Sequence, residues 1–293
     1  MYYLVYSFFY LLSLIPWWIM YRISDGIYFL IYYVFGYRKE VVLNNLLIAF
    51  PEKTEQERIR IAKDFYHQFV DTFLETIKLI SISEKELNKR FVCNYEVMND
   101  LFDTGKNVQL HAGHFFNWEY WNLAYAANSL YPLIGVYIPL SNKVMDKIIF
   151  NMRNKFGTVL IAADKFRNQF HNHQSKRYAL ALGADQNPGN PKASYWLTFF
   201  GKMTPFVTGP ERGAFSTNSA IIFSTFYPVK RGYYKSELKL ITTEPNTLQK
   251  GEITKLYRDF LEEQIKFRPS NYLWSHRRWK FEFDETKYGN MVI

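Results

Sequence analysis

The chain has 293 residues, enough for one large α/β domain, or two small ones, with a substantial core. Its single cysteine, Cys93, excludes an internal disulfide and any multi-cysteine zinc site. The net charge of +9 favours anionic partners such as phospholipid, a phosphorylated substrate, an acidic carrier protein or nucleic acid, and the 19% aromatic content suits a membrane interface or an acyl chain.

Met1 to Tyr21 contains no charged side chain, and its core, Leu4 to Ile15, is long enough with its flanks to enter a bilayer. A second uncharged run, Gly26 to Tyr37, follows Arg22 and Asp25. The segment lacks the basic start and small-residue cleavage site of a secretory signal, so it reads as retained. Pro16 and the many tyrosines also fit an anchor lying partly in the interface. Arg22, Arg38 and Lys39 on the C-terminal side place the remainder at the cytoplasmic face.

Pro51 to Glu57 has the features of a helix start, with Thr54 and Glu57 in capping-box spacing. Ile59, Ile61, Phe65, Phe69, Phe73, Leu74 and Ile77 then recur at near-helical intervals and predict an amphipathic helix with its stripe in the core. From Lys106 onward, short apolar runs alternate with helical stretches: Val108–Leu110, Leu133–Tyr137, Val159–Ala162, Tyr178–Ala184, Ala220–Phe226 and Ser236–Thr242. This pattern predicts an α/β fold, a mostly parallel mixed sheet flanked by helices. With no linker or repeat within residues 40–293, the organisation reads as an N-terminal membrane anchor over 1–37 and one catalytic domain over 38–293. Thr208 to Glu211 offers a second capping box, opening a short helix before the Ala220 strand. Tyr272 to Lys280 mixes aromatic and basic residues, which fits a phosphate-binding face, a membrane-contacting edge or a solvated charge run.

The stretch richest in chemistry is Leu110-His111-Ala112-Gly113-His114-Phe115-Phe116-Asn117-Trp118-Glu119. His114 and Glu119, five positions apart, would point about 140° apart on a continuous helix, so they can meet only across a turn or a helix start. A strand ending near Leu110 and a helix from Trp118 to Ala127 put His114 at a strand-to-helix junction, where α/β enzymes carry chemistry. A histidine beside a carboxylate can take a proton from a hydroxyl near neutral pH. A buried histidine satisfied by a carboxylate is the structural alternative. His111, His114 and Glu119 also allow a metal reading, but no second cluster follows at a spacing that would complete a zinc site.

His114-x4-Glu119, Ala184-Asp185-Gln186, Phe199-Phe200-Gly201 followed by Thr208-Gly209, and Tyr272-Leu273-Trp274-Ser275-His276-Arg277-Arg278, together with Val42–Leu46 and Ala49–Glu52, resemble the bacterial lipid A secondary (late) acyltransferases, the lauroyl/myristoyl transferase family. The resemblance covers nearly the whole chain in order. It implies an enzyme of the inner membrane's cytoplasmic face that moves a fatty acyl group from acyl carrier protein, or coenzyme A, onto a hydroxyl of a lipid A precursor, with no cofactor or metal. His114 would then be general base, Glu119 would orient it and offset its charge, and no covalent enzyme intermediate would form. The resemblance further implies substrate-binding roles for Arg153, Asp185, Gln186, Gly201 and Arg277. Arg153, matching an arginine between the two acidic motifs, could hold a donor or acceptor phosphate; Asp185 could support the site or position substrate, or merely cap a turn. His111 supports the turn or competes for the base role, but only His114 has the motif spacing to Glu119. The nearest alternatives keep the chemistry and change the acceptor to another membrane lipid, turn the dyad on water as a hydrolase, or make the protein a silent membrane adaptor. Nucleic-acid binding finds no supporting motif.

Overall fold

The computed structural model describes residues 1–174 and 176–293. Three helices come first: α1 (Tyr2–Leu14), α2 (Trp17–Phe29), continued by a π-helical turn (Leu30–Phe35), and α3 (Lys39–Ala49). Then follow α4 (Glu55–Leu79), α5 (Glu84–Arg90), β1 (Phe91–Cys93), α6 (Glu96–Asn99), β2 (Val108–Ala112), α7 (Trp118–Asn128), β3 (Leu133–Tyr137), α8 (Lys143–Arg153), β4 (Val159–Ala162), α9 (Phe166–Gln169) and β5 (Ala179–Gly183). The last third contains β6 (Ser194–Phe199), β7 (Lys202–Val207), α10 (Gly209–Thr217), β8 (Ala220–Lys230), β9 (Tyr233–Thr242), α11 (Glu252–Phe267) and α12 (Glu285–Tyr288).

Seven strands form one sheet in the order β1-β9-β8-β2-β5-β3-β4. β8, β2, β5, β3 and β4 run parallel, while β9 turns back antiparallel on β8 and carries β1 parallel to itself. The mixed, mostly parallel α/β sheet is therefore the one the alternating pattern predicts. Every residue of β2 is buried, as a central parallel strand covered on both faces should be. Its neighbour β5 pairs with it in register, Ala112 opposite Gly183, so the loops leaving these two strands start side by side.

β1 and the separate β6–β7 hairpin lie outside the expected strands. β1 has only three residues, and β6 is almost wholly buried, so neither carries the alternation that marks a half-exposed strand. Phe200 and Gly201, at φ 50° and 72°, make the two-residue turn joining β6 to β7, a conformation that suits a hairpin's twist.

The capping box at α4 forms as expected, with Thr54 Oγ1 accepting from Glu57 N. Phe65 and Phe69 of its stripe are buried against Phe116, whereas Phe73 is half exposed. A second stripe on α4 is polar and buried: Asp71, Glu75 and Lys78, spaced to share one face. The second expected capping box does not form. Thr208 Oγ1 makes no cap and donates to Ala193 O, and Glu211 is buried, accepting from Gly251 N, Thr254 N and Thr254 Oγ1 to cap α11 instead.

The apolar N-terminus does not form one long helix. Pro16 cannot donate to the preceding turn, and α1 and α2 meet at 109° across it. Thirteen residues of α1 span about 20 Å, short of the roughly 30 Å hydrocarbon core. Among the described residues no single helix is long and apolar enough to cross a membrane.

Candidate active site

His114 follows β2 by two residues and Asp185 follows β5 by two, and the in-register pairing of those strands brings the two side chains together. Asp185 Oδ1 lies 2.6 Å from His114 Nδ1, and Oδ2 accepts from the His114 backbone N–H at 3.1 Å. The carboxylate is 1% exposed while the imidazole is 30% exposed. With Nδ1 committed to the carboxylate, Nε2 is the ring nitrogen left for another partner. Burial pulls the imidazole's pKa down, but the charge and hydrogen bond of Asp185 outweigh it, so His114 titrates above its ordinary 6.5. Burial likewise pushes Asp185 up, and the same partner reverses the sign, leaving it below 3.8.

The spacing predicts Glu119 as the orienting partner of His114; the structure gives that contact to Asp185. Glu119 sits in the first turn of α7, buried, and faces Arg153 at the end of α8. Arg153 Nε donates to both Glu119 oxygens, at 3.2 and 2.9 Å, and Nη2 donates to Oε1 at 2.5 Å. Trp118 Nε1 donates to Glu119 Oε1 at 3.0 Å, while its ring meets the His114 ring edge-on, with centroids 6.3 Å apart. Trp118 is thus the hinge between two polar pairs, His114–Asp185 and Glu119–Arg153. Arg153 is held by Glu119, and its Nη1 makes no hydrogen bond among the described residues.

One glycine makes room for the histidine, and a second makes room for the side chains packed beside its turn. A Cβ on Gly183 would lie 2.9 Å from His114 Cε1, closer than real Cβ contacts come. A Cβ on Gly113 would lie 2.8 Å from Leu261 Cδ2 and 2.9 Å from the Phe115 ring. Gly183 is invisible as a site residue in the sequence because its function is to be absent in volume beneath a ring from another strand.

His111 belongs to the core. It is 1% exposed, stacks on Phe223 at 5.9 Å and accepts at Nε2 from the Gln109 amide, which also donates to Pro210 O. Burial pushes its pKa down to about 3, so it stays neutral. No group of three His, Cys, Asp or Glu side chains among the described residues could hold a metal ion.

The C-terminal aromatic-basic segment braces the Asp185 loop. Asn187 N donates to His276 Nε2 at 3.2 Å, Asn187 Nδ2 donates to Arg277 O at 2.5 Å, and Arg278 Nη1 donates to Asn187 Oδ1 at 3.3 Å. Burial pushes His276 down to about 4, which keeps its Nε2 an acceptor at neutral pH. Asn45 of α3 donates to Trp274 O and His276 O, and so holds the brace from the other side. Tyr272, Trp274 and Arg278 are buried. The exposed Arg277 meets the Asp185 loop through its carbonyl, and Gly201 is placed at the exposed hairpin turn, where its positive φ is what the fold uses. Gln186 is half-buried next to Asp185.

The geometry brings together a histidine whose Nε2 makes no hydrogen bond among the described residues and an arginine anchored by Glu119. Comparison with curated proteins finds no match. The family described as bacterial lipid A biosynthesis acyltransferase matches residues 1–281, and the chain belongs to that family of acyltransferases.

Proposed function

We propose that the protein transfers a fatty acyl group from an acyl carrier protein thioester, or the coenzyme A analogue, to a hydroxyl of a lipid A precursor at a membrane surface. The observation that carries this reading is the His114–Asp185 pair, whose Nδ1 contact of 2.6 Å leaves Nε2 open. His114 Nε2 accepts the acceptor's hydroxyl proton as the oxygen attacks the thioester carbonyl. The carbon–sulfur bond then breaks, and the imidazolium returns its proton to the departing thiolate. Asp185 fixes the tautomer and stabilises the imidazolium throughout. Glu119 holds Arg153 side-on and leaves Nη1 for an anionic group of donor or acceptor, a task to which guanidinium geometry is suited. Gln186, beside the dyad, is positioned to help bind substrate, and the backbone around Gly113 is the nearest candidate for oxyanion stabilisation.

Membrane association fits the N-terminal helices, read as a surface anchor over residues 1–37 ahead of the catalytic domain. Tyr3, Leu4, Phe8, Leu11, Leu14, Trp18 and Phe35 are exposed, an apolar load suited to the interface of a bilayer. α1 leans on α8, where Asn151 Nδ2 donates to Tyr2 Oη at 3.0 Å and Lys147 lies over the Tyr2 ring. The helix that ends in Arg153 therefore borders the apolar surface, which brings a lipid acceptor's headgroup close to the anchored guanidinium. The cytoplasmic face of the inner membrane is the location that fits such an anchor and an acyl carrier donor.

The test is mass spectrometry of lipids after incubation of wild type and His114→Ala with acyl carrier protein thioesters, a tetra-acylated lipid A precursor and a mixed lysolipid extract. One acyl mass gained on the precursor by wild type alone is the expected result. A gain on another lipid, or release of free fatty acid alone, would overturn the acceptor.

A further inference from the structure

The polar stripe of α4 meets the N-terminal helices on one side and the β8–β9 hairpin and α7 on the other. Lys78 Nζ donates to the carbonyls of Ser13 and Ile15 at the end of α1. Asp71 accepts from Ser24 Oγ of α2 and from Arg231 of the β8–β9 turn. Glu75, between them and fully buried, accepts from Tyr21 Oη of α2 at 2.9 Å and from Tyr234 Oη of β9 at 2.5 Å. Its third donor is Asn117 Nδ2, at 3.0 Å.

Asn117 is the N-cap of α7 and is itself fully buried. Its Oδ1 accepts from Glu119 N at 3.0 Å and Tyr120 N at 3.4 Å, so Glu75 and the cap fix the amide at both ends. It lies between His114 and the Trp118–Glu119 pair in the chain, at the point that sets how the turn enters the helix. Gly232 supplies an independent mark of design: a Cβ there would overlap Tyr21 Oη, so the hairpin turn is cut away where the hydroxyl reaches inward.

We propose that Tyr21, Glu75 and Asn117 form a positioning relay that ties the N-terminal helix pair to the turn carrying His114, making those helices part of the catalytic machinery rather than a tether alone. Tyr21 reports the seating of α2, Glu75 carries it across α4, and Asn117 sets the start of α7 and with it the Trp118 ring against His114. Burial raises Glu75 to about 7 against the pull of its Tyr234, Asn117 and Tyr21 hydrogen bonds, as expected of a carboxyl retained for its contacts despite its desolvation. The relay rests on the transferase reading above for its kinetic consequence, but its geometry stands apart from the substrate.

The full-length protein in phospholipid nanodiscs, as wild type, Tyr21→Phe and Glu75→Gln, is assayed for acyl transfer, and the His114 ring 13Cε1–1H resonance is recorded in each. The expected result is a kcat lower by about tenfold in Glu75→Gln and by a few-fold in Tyr21→Phe, with KM for donor and acceptor unchanged and the His114 resonance displaced in both. Tyr21→Phe removes one hydroxyl from an aromatic site, so it keeps the test open if Glu75→Gln does not fold. An unchanged kcat and an unchanged resonance in a folded variant overturn the relay. A wild type that acylates no acceptor strikes the transferase reading instead, and the resonance alone then decides the relay.

Discussion

Two buried carboxylates stand on either side of Trp118, each against a basic side chain, and the two pairs differ in kind. Asp185 faces a histidine that can gain and lose a proton, while Glu119 faces an arginine that keeps its charge. In the proposed reaction the first pair changes state during a proton transfer, while the second holds a fixed charge in a fixed direction. A histidine and a carboxylate near each other in sequence need not be the pair that forms in the fold. Strand register decides it, because β2 and β5 end side by side and the first turn of α7 points elsewhere.

Removing His114 should break the first pair outright. His114→Ala is expected to lose at least about 10³-fold in transfer rate while folding normally, as measured by acyl transfer and circular dichroism. Asp185→Asn comes next, with a loss of about 10²- to 10³-fold, because the tautomer and the imidazolium lose their support. It should also shift the acid limb of kcat/KM. In wild type that limb is expected above pH 6.5, since the proposed base must be neutral to act and the Asp185 charge raises its pKa. Without the Asp185 charge, burial dominates and the limb moves to lower pH.

The second pair sharpens the contrast. Arg153→Lys loses the side-on grip on Glu119, and KM for the anionic substrate should rise about tenfold with a smaller change in kcat, measured by steady-state kinetics. Gly183→Ala should cost a few-fold in kcat, since the added methyl must push the His114 ring away, and a displaced ring resonance would accompany it. His111→Gln should have the smallest effect on rate, less than about threefold, and a larger one on thermal stability, because it disturbs a core contact remote from proton transfer.

The His114–Asp185 pair also gives stability a pH window. His114's folded pKa is raised, so its contribution is complete below 6.5 and fades as pH rises through the folded value. Asp185's folded pKa is lowered, so its contribution is complete above 3.8 and fades as pH falls through the folded value. The pair stabilises most between those limits, and pH-dependent thermal melts of wild type and Asp185→Asn measure it.

Much of the sheet was legible in the chain. Val159–Ala162 and Leu133–Tyr137 are apolar runs that match β4 and β3 at both ends, because parallel strands flanked by helices are built mostly from apolar residues. The strand-to-helix junction at His114 was legible for the same reason. Who meets His114 was not, since 71 residues separate it from Asp185 and only the pairing of β2 with β5 closes that distance. The bend at Pro16 was foreshadowed by the proline, but the polar stripe of α4 was hidden. Asp71, Glu75 and Lys78 are charged residues that nothing in the local sequence marks as buried, and only the fold shows them covered. Gly183 and Gly232 carry no chemical signature, because their value lies in the volume they leave to a side chain from elsewhere.

Whether Asp185 or Glu119 sets the titration of His114 is decided by an NMR titration of its imidazole in wild type, Asp185→Asn and Glu119→Gln. The expected result is a midpoint above 6.5 in wild type, a clear fall in Asp185→Asn and little movement in Glu119→Gln. A midpoint that falls in Glu119→Gln and stays in place in Asp185→Asn would contradict it.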